Sequence, residues 1–140
     1  MNEDVATIWS AQQEMYAGFE TGNRARTDQH IHESCTIWDS GHWENVTGVV
    51  GLNAVRAARP TGPDQPVVAS LTAYDPQIDV VGDIAVARHL ARVVYEGETP
   101  DKHVRNTGIW RRFRDGWKLV HNHEETAPEA TDCTPEESRK

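Results

Sequence analysis

The chain has 140 residues, 37% of them hydrophobic and 26% charged, a single-domain size with enough apolar material for a core of its own. Its 14 Lys and Arg against 22 Asp and Glu give a net charge of -8, which disfavours nucleic acid as a partner; no apolar run approaches the ~20 residues that span a bilayer, so no membrane partner is expected. Two cysteines, Cys35 and Cys133, are too few for a disulfide framework, and Met1-Asn2-Glu3-Asp4 lacks the basic-then-apolar order of a signal peptide, so a reduced cytoplasmic protein is expected.

Asn2 is placed to cap a helix whose first turn carries Glu3 and Asp4, the charge sign a helix N-terminus favours. Val5, Ile8, Trp9, Met15, Tyr16 and Phe19 then recur at helical spacing as one apolar face, and Gly22 is a stop signal. A short polar helix is predicted from about Ala25 to His30. Cys35 to Asp39 (CTIWD) is rich in strand formers, and Gly41 and Gly48 bracket a second short strand through Trp43 and Val46. Leu52, Val55 and Ala58 predict a helix over 49–59, ended by Pro60, before a Gly/Pro loop from Thr61 to Pro66.

From there the pattern is strand. Val67 to Val81 reads as one long strand bent at Pro76. Gly82-Asp83 is a turn, Ile84 to Glu96 the next strand, and Gly97 to Pro100 a loop. His103 to Glu125 (HVRNTGIWRRFRDGWKLVHNHEE) reads as a hairpin turning at Asp115-Gly116, two residues that tolerate positive φ. Residues 127–140 carry two prolines and almost no bulky apolar groups, so a disordered tail is expected after a domain over 1–126.

Helices leading into a mostly antiparallel meander define an α+β domain. A strongly curved sheet with the N-terminal helices packed over its concave face forms a cone with an interior cavity. Two segments carry a resemblance: DPQIDVVGDIAVARHLARV (Asp75 to Val93) and TGIWRRFRDGWKLVHNH (Thr107 to His123). With their order and spacing, the chain resembles the nuclear transport factor 2-like superfamily, which includes ketosteroid isomerases and SnoaL-like polyketide cyclases. It looks most like the association domain of calcium/calmodulin-dependent protein kinase II and its stand-alone bacterial relatives.

That resemblance implies a site. Three arginines line the kinase association cavity; the matching positions here are Arg92, Gly108 and Glu124. Alternation groups Arg88, Leu90, Arg92 and Val94 on one face, and Ala87, His89, Ala91 and Val93 on the other. With Arg92 inward, Arg92 and Glu124 are expected to pair inside the cone, with Asn106, Trp110, Val120 and Asn122 pointing the same way. Asp39 matches the catalytic aspartate of the ketosteroid isomerases, where a desolvated carboxylate acts as general base; capping its own turn with Ser40-Gly41 is the other reading. Tyr16 falls one residue out of step with that family's oxyanion-donating tyrosine; a core aromatic is the alternative. Trp38 and Trp43 are the expected pocket walls.

The family places the histidines on the outer sheet face. A homodimer through that face, with His89, Ile109, Leu119, His121 and His123, is therefore expected. A zinc site made by His89, His121 and His123 is the less favoured reading. No metal and no cofactor is expected. Arg88, Arg111, Arg112 and Arg114 are expected to pair with the surplus carboxylates. The function expected is small-molecule binding in the cone, or acid–base isomerisation, dehydration or cyclisation of a carbonyl compound there. A non-catalytic oligomerisation module is the alternative.

Overall fold

The computed structural model describes residues 2–58 and 65–127. Cys133, the Pro60 helix stop, most of the Thr61 to Pro66 loop and all but the first residue of the expected tail lie outside the described residues. Helix α1 spans Glu3–Thr21, and its start is the expected one: the Asn2 side chain accepts from the Val5 N–H at 2.8 Å. Gly22 ends it in the left-handed conformation, φ 72°. The buried stripe is Ile8, Gln12, Met15 and Gly18, whereas Phe19 is exposed. Gly18 lets the next helix, α2 (Arg24–Asp28), approach, since a Cβ there would lie 2.4 Å from Thr27 Oγ1.

The strands are β1 (Ile31–Trp38), β2 (Val46–Thr47), β3 (Val68–Val81), β4 (Ile84–Tyr95), β5 (Lys102–Phe113) and β6 (Gly116–Thr126), with helix α3 (Gly48–Ala58) between β2 and β3. They form one six-stranded sheet in the order β2-β1-β6-β5-β4-β3, antiparallel except where β1 runs parallel to β6. The α+β architecture with a curved, unclosed sheet is the one expected. The bend at Pro76 is present as a register shift between Tyr74 and Gln77, with Asp75 at φ 52°. The last hairpin turns one residue earlier than expected: Phe113 pairs with Gly116, so Arg114-Asp115 make the turn. Among the described residues no helix is long and apolar enough to cross a membrane.

The core lies between the helices and one sheet face. Ile8 and Met15 of α1 pack with Ile31, Cys35, Ala85, Ala87, Trp110, Trp117 and Leu119. A smaller cluster of Ala91, Val93 and Val104 takes Tyr16 and Leu71 against it. Asp4 ties the first turn of α1 to the hairpin, accepting from Trp117 Nε1 at 3.2 Å and from Arg112 at 2.9 Å. Those two bonds hold its carboxyl below the usual carboxylate range.

β4 presents the face opposite to the one expected. Ala85, Ala87, His89, Ala91 and Val93 point inward and Arg88 and Arg92 outward. The small side chains leave room for Ile8 and Met15 of α1 in the core cluster, and each guanidinium finds water and a carboxylate outside. Arg92 donates to Asp101 through Nε at 2.8 Å, so the expected Arg92–Glu124 pair inside the cone does not form. Arg88 pairs outside with Asp79, and Arg105 with Glu125.

β6 departs from strict alternation. Trp110 is opposite Leu119 while Ile109 is opposite His121, so Val120 is an extra residue in the strand. This bulge lets Trp117 and Leu119 face inward before it and Asn122 face inward after it. Leu119, Ala87, Ala91 and Val93 therefore belong to the core and not to an outer dimer face.

Candidate functional site

The inner faces of β4, β5 and β6 bring His89, Asn106 and Glu124 into one row, since His89 is opposite Asn106 and Asn106 opposite Glu124. Above the row, α1 contributes Tyr16, whose Oη lies 2.7 Å from His89 Nε2. Trp9, about two turns earlier on α1, sets its ring edge-on to the same imidazole at 5.6 Å. His89 is 4% exposed, and burial pushes it down to about 4, so it is a neutral imidazole at pH 7. Burial, and then the charge of Glu124, raise the Tyr16 hydroxyl well above the usual phenol range, so it stays protonated and able to donate.

Beside this pair, Asn106 and Asn122 exchange two side-chain hydrogen bonds of 2.9 and 3.0 Å. Asn106 is buried, and the reciprocal pair gives each amide one donated and one accepted bond. Gly108, the second of the family's arginine positions, does not open space. A Cβ there would meet Leu119 at 3.1 Å, Trp110 Nε1 at 3.3 Å and Asn122 Oδ1 at 3.4 Å. The cluster has hydrogen-bond donors, acceptors and proton-exchanging groups in a water-poor setting, the elements of acid–base chemistry.

Asn106, Trp110, Asn122 and Glu124 thus share the inner face of the sheet, whereas Arg92, expected with them, points outward and Val120 is the bulge residue. Asp39 does not join them. Its Oδ1 accepts from the Gly41 N–H at 2.8 Å and lies 3.1 Å from His42 Nδ1, within its own turn after β1. A strand-end carboxylate followed by Ser-Gly finds its nearest donors in that turn. Trp38 and Trp43 do not wall the cone either. Trp38 is opposite His123 on the outer face, and Trp43, on the loop, is 90% exposed.

Sequence reasoning placed His89 on the partner face, so the imidazole of the site was missed. The available signal was its neighbours: Ala85, Ala87 and Ala91 share its face, and a run of alanines suits a packed helix better than an open surface. His121, held by Thr36 Oγ1 at 2.7 Å, and His123 are on the outer face, so the three imidazoles do not converge. Among the described residues no group of three or more metal-ligating side chains is present. An open groove of about 680 Å³ runs over the outer face between the β3 bend and β6, with Leu90 and Thr107 in its lining. Its arginines, Arg88 and Arg105, are already ion-paired, and His89 and Asn106 of the cluster are also in its lining.

The SnoaL-like domain family model matches residues 8–125, from the first core residue of α1 to the end of β6. The chain belongs to the SnoaL-like family. No curated protein matches it significantly in sequence. Among solved structures it is similar to a ketosteroid isomerase-like protein from Erwinia carotovora atroseptica, with a TM-score of 0.74 and 12% identity over 92% of this chain and all of that one. It is similar to the CaMKII hub of S. rosetta, TM-score 0.73 and 20% identity over 91% of this chain and 99% of that one. An NTF2-like protein with a cystatin-like fold from Novosphingobium aromaticivorans gives 0.72 and 17%, covering 98% and 88%. At these identities the likeness establishes the shared fold.

Proposed function

We propose that the interior of the cone is a small-molecule site in which Tyr16, oriented by His89, is the hydrogen-bond donor. One observation carries this: Tyr16 Oη and His89 Nε2, 2.7 Å apart between α1 and β4 in an otherwise largely apolar interior. A protonated Tyr16 is a donor for a carbonyl oxygen that becomes an enolate oxyanion. His89, with its proton affinity lowered, serves as a neutral hydrogen-bonding partner that orients the phenol. The base is then a carboxylate, and Glu124 has the better position: it shares the inner face and its charge is felt at Tyr16. Glu124 would remove a proton next to the carbonyl while Tyr16 stabilises the oxygen, and the proton would return to another carbon in an isomerisation or leave with hydroxide as water in a dehydration.

The test is deuterium exchange into simple ketones in D2O, followed by NMR, with native mass spectrometry for a retained ligand. Glu124→Gln is expected to slow exchange by roughly 10²–10⁴, the range of general-base catalysis. Tyr16→Phe should cost about 10²–10³, as for loss of one oxyanion donor. Asp39→Asn separates the two carboxylates: exchange survives it if Glu124 is the base and collapses if Asp39 is. No exchange with any ketone and no retained ligand would favour the association-module reading. The outer face supports that second reading, because Trp38 and Ile84 are exposed there.

A further inference from the structure

Trp110 is fully buried, yet among the described residues its Nε1–H has no hydrogen-bond partner. A buried donor without an acceptor is destabilising, and native proteins keep one where something else supplies the acceptor. The indole nitrogen lies beside Gly108 and Asn122: one point, the Cβ that Gly108 lacks, is 3.3 Å from Nε1 and 3.4 Å from Asn122 Oδ1. That oxygen already accepts from Asn106. Gly108 is opposite Ala87 on one side and Asn122 on the other, so the strand positions flanking it beneath the indole carry a methyl group and an amide.

The charges around this donor are sorted by face. Arg88, Arg92, Arg105 and Arg112 each meet a carboxylate away from the buried cluster. Lys102 is in register with Val93 of the inner face, but it is the first residue of β5, at the far end from Trp110. The inner face offers the amide of Asn122 beside the indole and, further along the sheet, the amide of Asn106, a phenol, an imidazole and the field of Glu124. An anion placed there would lose its water with no guanidinium to replace it, whereas a carbonyl oxygen needs only an N–H.

We propose that the cone takes an uncharged ligand and that Trp110 Nε1–H donates to its carbonyl oxygen. This rests on the reading of the cone as a ligand site. It assigns the indole a binding role and makes the site select against carboxylates.

The experiment titrates the ¹⁵N-labelled full-length protein with cyclohexanone and, separately, with cyclohexanecarboxylate at pH 7. It follows the assigned Trp110 indole N–H together with the side-chain amides of Asn106 and Asn122. Cyclohexanone is expected to move the Trp110 proton downfield in a saturable way, and the carboxylate to leave all three signals in place. Trp110→Phe should weaken ketone binding by about tenfold, read on the two amides, as for loss of one hydrogen bond; the wild-type titration decides the matter if that variant does not fold. Ketone binding that moves the amides but not Trp110 would overturn the donor assignment and spare the ligand site. Carboxylate binding as tight as that of the ketone would overturn the charge selection. Silence from both compounds would overturn the proposal together with the ligand-site reading.

Discussion

Arg92 and His89 are three positions apart on one strand, and their environments differ completely. Arg92 is more than half exposed and paired with Asp101, so Arg92→Ala should cost less than about 1 kcal/mol in urea unfolding, the range of a surface pair. A buried partner of Glu124 would instead cost roughly 3–5 kcal/mol, so the measurement separates the two registers. His89 has the opposite character. Its folded-state pKa, about 4, lies below the ordinary value of 6.5. Between those values the unfolded chain binds the proton and the native protein does not, so stability is full above about pH 6.5 and falls as the pH drops towards 4. The loss approaches about 3 kcal/mol for a shift of this size, and His89→Phe should flatten that part of the stability–pH curve. His30 carries a shift of the same sign from burial and contributes in the same direction, so the His89 share is read as the difference between wild type and variant.

The elements owe their curvature to a few irregular positions. Val120 is the extra residue that lets one strand supply both the core (Trp117, Leu119) and the polar row (Asn122, Glu124). Gly48 plays a comparable part where β2 runs into α3. It has φ 64°, and a Cβ there would lie 2.5 Å from Glu33 O of β1. Gly48→Ala is therefore expected to cost at least about 2 kcal/mol, combining left-handed strain with a backbone clash. Gly82→Ala is the control: its φ is 60° but the space around it is open, so only strain of about 1 kcal/mol is expected. Equal losses at the two positions, measured by thermal or urea unfolding, would show that the Glu33 contact is unimportant.

At the level of the molecule, helices cover one face of the sheet and leave the other bare. That bare face carries Trp38, Thr36, His121, Ile109 and the lining of the open groove, a mixed surface on which a second copy could pack. A dimer mass in sedimentation at micromolar concentration is the expected outcome, with Trp38→Asp shifting it towards monomer. The contributing residues differ from those foreseen: His121, His123 and Ile109 stand on this face, while His89 and Leu119 are inside. A monomer at all accessible concentrations would remove the dimer.

The order of elements was legible from local chemistry. Caps, glycine stops, the Pro76 bend and alternating strands are short-range signals, and each depends on residues a few positions apart. The family resemblance, with strand alternation, also placed Asn106, Trp110, Asn122 and Glu124 on one face, because alternation holds within most of β5 and the end of β6. Which face of β4 turned inward was signalled only by the alanines that share the His89 face. Both of its faces carry apolar residues, and only the approach of α1, which accepts alanines and excludes arginines, decides between them. The Val120 bulge was equally hidden, since one inserted residue changes no local propensity yet reverses the face of everything before it. The sequence by itself determined the α+β order and the identity of the polar groups. The tertiary structure alone decided that Tyr16 meets His89, because that contact joins residues 73 positions apart and exists only once the helix has settled on the alanine face.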